Sequence, residues 1–104
     1  MTEERMSIKV DISRDMIAEF CRRNHIRRLA LFGSVLRDDF TADSDIDVLV
    51  EFEPDHVPGL AFYGMQRQLA EIFGRKVDMN TAKDLSPYFR EEVLDEAEYL
   101  YVAA

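Results

Sequence analysis

The chain reads as a mixed α/β domain whose helices pack on one face of a small sheet, and three observations predict that class. Short runs with an apolar residue at every second position, such as Ile46, Val48, Val50 and Phe52, alternate with stripes at helical spacing, such as Phe62, Met65, Leu69 and Ile72. Gly33, Pro54, Pro58-Gly59, Gly74 and Pro87 punctuate those runs. The 104 residues, 47% of them hydrophobic, are expected to make one domain, residues 1–104, with a real core.

The elements follow in order. Residues 1–6 are polar and expected to fray, and residues 7–12 suggest a short edge strand through Ile8, Val10 and Ile12. Ser13 is a natural N-cap for a first helix, with Asp15 in its first turn, Met16, Ile17, Phe20 and Cys21 as its apolar stripe, and Asn24 to close it. A strand is expected over 28–32 and another over 45–52. Residues 53–59 form a loop by their Pro, Gly and Asp content, in which His56 reads as a solvated loop histidine. A helix over 60–73 stops at Gly74, and a short strand over 74–80 follows, with Val77 and Met79 on one face. Ser86-Pro87 resembles an N-cap with proline at the first helical position, and Phe89, Val93, Ala97 and Leu100 give the stripe of a last helix that carries Tyr99 and Tyr101 near its end. The predicted order is helix, strand, strand, helix, strand, helix.

Charge narrows the functional classes. A formal net charge of −8 argues against a protein that grips extended nucleic acid, because phosphate backbones call for a basic surface. Acid concentrates in residues 84–104, whereas Arg22, Arg23, Arg27 and Arg28 gather around His25. Arginines near a helix C-terminus are favoured by the macrodipole, with a binding role as the alternative. No run of apolar residues is long enough to span a membrane and no signal sequence is visible, so a cytoplasmic protein without a membrane partner is expected. The single cysteine, Cys21, makes no internal disulfide and reads as a small buried apolar residue.

The chemistry concentrates between Phe32 and Asp78. Gly33 ends an apolar run, where a glycine lets the backbone turn sharply and approach a ligand, and Ser34 adds a hydroxyl and an N–H at the start of a short helix whose N-terminus favours anions. After ten intervening residues, Asp45-Ile46-Asp47 puts two carboxylates on the same strand face, about 6.6 Å apart at about 3.3 Å rise per residue. Asp78, on a strand whose Val77 and Met79 face the core, joins that carboxylate face. Hard oxygen ligands of this kind suit Mg²⁺, which takes carboxylates together with substrate phosphates. Three of them suit a two-metal site with ions about 3.5–4 Å apart. Either solvent or cation must relieve their mutual repulsion. Arg37 has two readings, charge neutralisation on phosphates or a surface pair with Asp38, Asp39 or Asp43. Ser44 is expected to steady the start of the strand.

These residues resemble a known family. Phe32-Gly33-Ser34, Arg37, Ser44-Asp45-Ile46-Asp47-Val48-Leu49-Val50-Glu51-Phe52 and Gly74-Arg75-Lys76-Val77-Asp78 are similar to the minimal nucleotidyltransferases of the DNA polymerase β superfamily, the MntA-like antitoxins encoded beside HEPN toxins. The chain departs at Asp38, where many relatives have glycine. The resemblance implies Asp45, Asp47 and Asp78 as catalytic metal ligands and Gly33, Ser34 and Arg37 as nucleotide-binding residues. It further implies ATP as substrate, two Mg²⁺ ions, and a cognate HEPN RNase as protein partner, whose tyrosine receives AMP and is thereby inactivated. The wider superfamily usually adds a second, substrate-shaping domain, for which these residues leave no room, so the acceptor is expected to be held by the partner. Neutralisation by binding alone is a second reading, and nucleotidyl transfer to RNA or a small molecule a third.

Overall fold

The structure, a computed structural model, describes residues 13–37, 40–41 and 43–104. The frayed segment and edge strand expected within residues 1–12 lie outside the described residues, as do Asp38 and Asp39.

Helix α1 spans Arg14–Arg23. Ser13 caps it, its Oγ accepting the Met16 N–H at 3.3 Å, with Asp15 in the first turn and Arg22 and Arg23 in the last, as the helix dipole favours. Asn24 closes the helix, its Nδ2 donating to the Phe20 carbonyl at 2.8 Å. His25 then turns the chain at φ 58° into β1, Ile26–Phe32. A 3-10 turn over Gly33–Leu36 follows, the short helix expected after the glycine. Strand β2, Ile46–Phe52, returns antiparallel to β1, and α2, Ala61–Phe73, carries the chain over to β3, Val77–Asn80, parallel to β2. Gly74 ends α2 in the left-handed region at φ 71°, where an L side chain is disfavoured.

The last segment differs from the expectation. Helix α3 covers only Arg90–Glu96, and residues Glu98–Val102 form β4, antiparallel to β1, giving the sheet order β3-β2-β1-β4. Phe89, Val93, Ala97 and Leu100 do recur at helical spacing, but Tyr99, Leu100, Tyr101 and Val102 are aromatic or bulky residues suited to a pleated surface, and β1 had a row of unpaired backbone groups to satisfy. Leu100 is therefore buried as a strand residue. Ser86 does not cap α3 directly. It opens the preceding turn, where its carbonyl accepts the Phe89 and Arg90 N–H groups at 3.0 and 2.9 Å.

Alternation along the strands separates two faces. Ile46, Val48, Val50 and Phe52 of β2, Leu29 and Leu31 of β1, and Val77 and Met79 of β3 form one core with Ile17, Phe20 and Cys21 of α1 and Leu69 and Phe73 of α2. Each such side chain taken from water contributes about 1.5–3 kcal/mol. Cys21 is buried as expected, and burial pushes its thiol up to about 12, so it stays protonated and inert. No residue of α3 is buried; its side chains border the opposite face beside Phe32 and Leu49.

Candidate active site

That opposite face carries the aspartates. Asp47 pairs in register with Phe32 of β1 on one side and with Asp78 of β3 on the other, and register partners project to the same side of a sheet. Phe32 leads directly into Gly33, so the turn, Asp47 and Asp78 stand in a row across three neighbouring strands. Asp45 immediately precedes β2. Asp47 is half-buried, while Asp45 and Asp78 are exposed.

Gly33 is required where it stands. Its φ is 80°, and a Cβ built there would fall on Asp47 Oδ2, with Asp47 Cγ only 3.3 Å away. The missing side chain is what lets the backbone of the turn lie against the carboxylate. Burial, then the neighbouring charges of Asp78 and Asp45, raise the Asp47 carboxyl above its ordinary value, and Arg37 pulls the other way. The three aspartates and Arg37 thus share one electrostatic site, and Asp47 bears its strain. A hard-oxygen donor set held at this cost is chemically suited to Mg²⁺, which relieves both causes of the shift. Among the described residues, however, the group whose ligand atoms all lie within 4.8 Å of one another is His25, Glu53 and His56, so the three aspartates are spread more widely than that.

Two hollows lie at the ends of this row, one at Gly33 and one at Asp78. One, about 330 Å³, is lined by Phe32, Gly33, Arg37, Phe89, Val93 and Glu96. The other, about 470 Å³, is lined by Gly59, Tyr63, Gln66, Asp78, Asn80 and Asp84. A ligand lying across the face would meet the glycine turn at one end and Asp78 at the other.

Arg37 meets an acid from a distant element. Its Nη2 meets Glu96 Oε1 of α3 at 3.1 Å, an exposed pair across the first hollow. Ser44 does steady the start of β2, its Oγ accepting the Thr41 N–H at 3.0 Å. Three positioning residues were not singled out from the sequence. Arg75 donates to the Thr41 and Ser44 carbonyls at 2.8 and 3.4 Å and lies 4.3 Å from the Phe40 ring centroid, which clamps the segment leading to Asp45. Gln66 Oε1 accepts the Met79 N–H at 2.8 Å, which pins β3 and hence Asp78 to α2. Glu96 holds Arg37. Arg75 stood inside the Gly74–Asp78 motif, but no local pattern pointed to Gln66 or Glu96. The arginines around His25 are partly neutralised: Arg27 and Arg28 approach Glu51 at 3.9 and 3.6 Å.

A glycine turn laid against an aspartate, in register with a second strand aspartate on the open face of a helix-backed mixed sheet, defines a phosphoryl- or nucleotidyl-transfer class of domain. The comparison with known proteins is specific: the nucleotidyltransferase domain family matches residues 14–100, and the chain belongs to it. It is 37% identical over 79 residues to the inferred protein adenylyltransferase MJ1379 of Methanocaldococcus jannaschii, covering 74% of this chain and 77% of that protein. It is 32% identical over 83 residues to the protein adenylyltransferase MntA of Thermococcus cleftensis, covering 79% and 82%. The fold also matches, at TM-score 0.62 and 23% identity over 86% of this chain and 70% of the other, a solved complex of a tri-AMPylated Shewanella oneidensis HEPN toxin with its MNT antitoxin. The resemblance to the minimal nucleotidyltransferases is borne out. Among the described residues no helix is long and apolar enough to cross a membrane.

Proposed function

We propose that the protein is a cytoplasmic, Mg²⁺-dependent protein adenylyltransferase acting as an antitoxin, a single minimal domain that transfers AMP from ATP to a tyrosine hydroxyl of a cognate HEPN RNase toxin. One observation carries this reading: Asp47 sits in register between the strand that ends at Gly33 and the strand that holds Asp78. The adenylyltransferase names of the similar proteins and the AMPylated HEPN partner of the structural neighbour supply the acceptor class.

The residues divide the work. Backbone N–H groups of Gly33 and Ser34 and the Ser34 hydroxyl cradle the triphosphate at the start of the 3-10 turn, and Arg37, released from Glu96, neutralises phosphate charge. Asp45, Asp47 and Asp78 would hold Mg²⁺, which when bound polarises the phosphoryl oxygens and stabilises the departing pyrophosphate. Asp78, at the end of the row nearer the open cleft, accepts the proton of the incoming tyrosine hydroxyl. The tyrosine oxygen forms a bond to the α-phosphorus as the bond to pyrophosphate breaks, and the proton leaves through the Asp78 carboxylate.

Incubation with ATP, Mg²⁺ and the HEPN protein encoded alongside is expected to add an adenylyl mass to that protein, read by intact mass spectrometry. Asp45→Asn and Asp47→Asn abolish the addition while circular dichroism stays native. Normal labelling by both variants, or no adduct with the correct partner, overturns the reading. A second reading, neutralisation by docking alone, is favoured by the exposed Glu91, Glu92 and Asp95 of α3 beside exposed Tyr88 and Phe89, a surface suited to a basic partner. Under it, Asp45→Asn still co-purifies with the toxin and still silences it.

A further inference from the structure

At the far end of β2 from the aspartates, three metal-ligating side chains converge. His25 lies in the turn between α1 and β1, Glu53 directly follows β2, and His56 lies in the loop toward α2. One ligand atom from each lies within 4.8 Å of the other two. His25 Nδ1 is 3.8 Å from Glu53 Oε1, and the two imidazoles stack with centroids 3.9 Å apart. We propose that His25, Glu53 and His56 form a second metal site, taking one borderline divalent transition ion of the Zn²⁺ class.

The backbone brings the three together before any ion arrives. The Glu53 N–H donates to the His25 carbonyl at 2.9 Å, and the His56 N–H donates to the Glu53 carbonyl at 3.1 Å. Ile26 pairs with Phe52, so His25 and Glu53 extend from adjacent strand ends and cannot drift apart without opening the sheet. Positive φ values at His25 (58°) and Asp55 (70°) turn the chain sharply in both segments that carry the histidines. Non-glycine residues in that region are uncommon and carry a cost, and here two occur within one small cluster.

The donor set chooses the ion. Two imidazoles and a carboxylate match a zinc site with three protein ligands and an open position, whereas Mg²⁺ prefers oxygen donors throughout. At Zn–N and Zn–O distances near 2.0–2.2 Å, ligand atoms on a tetrahedral ion stand about 3.3 Å apart. The cluster reaches this by a modest contraction. The stacked rings must also fan apart so that both nitrogens aim at one point, and the exposed positions of His25 and His56 leave solvent on one side for that rotation. The bound ion ties the 53–59 loop to the turn after α1. Pro58 and Gly59 of that loop line the cleft beside Asp78, which links this second ion to the shape of the first site.

The test uses the tag-free full chain in excess Mg²⁺, which occupies the aspartates, and titrates Zn²⁺ by calorimetry. One Zn²⁺ per chain is expected. Because loss of a direct ligand weakens binding at least as much as loss of an outer partner, His56→Gln or His25→Asn should lower affinity about 10–100-fold. Asparagine keeps the left-handed backbone accessible at position 25. Asp47→Asn should leave Zn²⁺ binding unchanged. Should a histidine variant misfold, nuclear magnetic resonance of the wild-type imidazoles decides: Zn²⁺ must shift both His25 and His56 ring signals. Absent binding, binding lost only in Asp47→Asn, or ring signals indifferent to Zn²⁺ would each overturn the site.

Discussion

The two faces of β2 are made from alternate residues of one seven-residue strand, yet they obey opposite rules. Ile46, Val48, Val50 and Phe52 are enclosed by α1 and α2, where any lost methylene leaves a cavity. Asp47, one residue out of phase, is destabilised first by its partial burial and then by the charges of Asp78 and Asp45. The contrast teaches that this fold concentrates its stability on one side so that charge repulsion can be tolerated on the other. Substitutions on the two faces should therefore separate stability from activity.

Gly33→Ala should have the largest effect on transfer. It places a methyl on the Asp47 carboxylate at a φ of 80°, displacing the reacting groups, and misplacement on that scale costs about 100-fold in rate. Single-turnover adenylylation measures it; a variant within a few-fold of wild type would dissolve the claim that the turn and Asp47 form one unit. On the other face, Leu69→Ala should cost about 2–5 kcal/mol of stability. Transfer per folded molecule should remain unchanged, as urea melts paired with activity at low temperature would reveal.

The smallest effect is the most diagnostic. A folded carboxyl raised above its ordinary value contributes stability that is fully present below the unfolded value and lost as pH rises through the folded one. In metal-free buffer, Asp47→Asn should therefore melt higher than wild type at pH 7, with the gap closing as the pH falls into the carboxylate range. Mg²⁺ with ATP should reverse the order, since the asparagine variant gains less from the ligand. A wild type that out-melts the variant at neutral pH without metal would mean that neither burial nor its charged neighbours strain Asp47.

Much of this was legible in the chain because it depends on short-range geometry. Asp45-Ile46-Asp47 and Val77-Asp78-Met79 declare their faces by alternation alone, and Ser13, Asn24 and Gly74 mark helix ends through local hydrogen bonds and backbone freedom. Leu100 misled because a helical and an extended spacing coincide over so few residues; only the open edge of β1 decided between them. The pairing of Arg37 with Glu96, fifty-nine residues away, likewise depends on where α3 comes to rest.

His25 and His56 are the sharper example, since one reads as part of an arginine cluster, the other as a solvated loop histidine, and no spacing connects them. The amino-acid order by itself determined the helices α1 and α2, the glycine turn and the sidedness of its aspartates, all consequences of dihedral preference and periodicity within a few residues. Tertiary structure alone decided that β4 completes the sheet, that Asp47 meets both Gly33 and Asp78, and that two histidines gather beside one carboxylate. Those contacts depend on which strand ends become neighbours, and that is set by how the whole core closes.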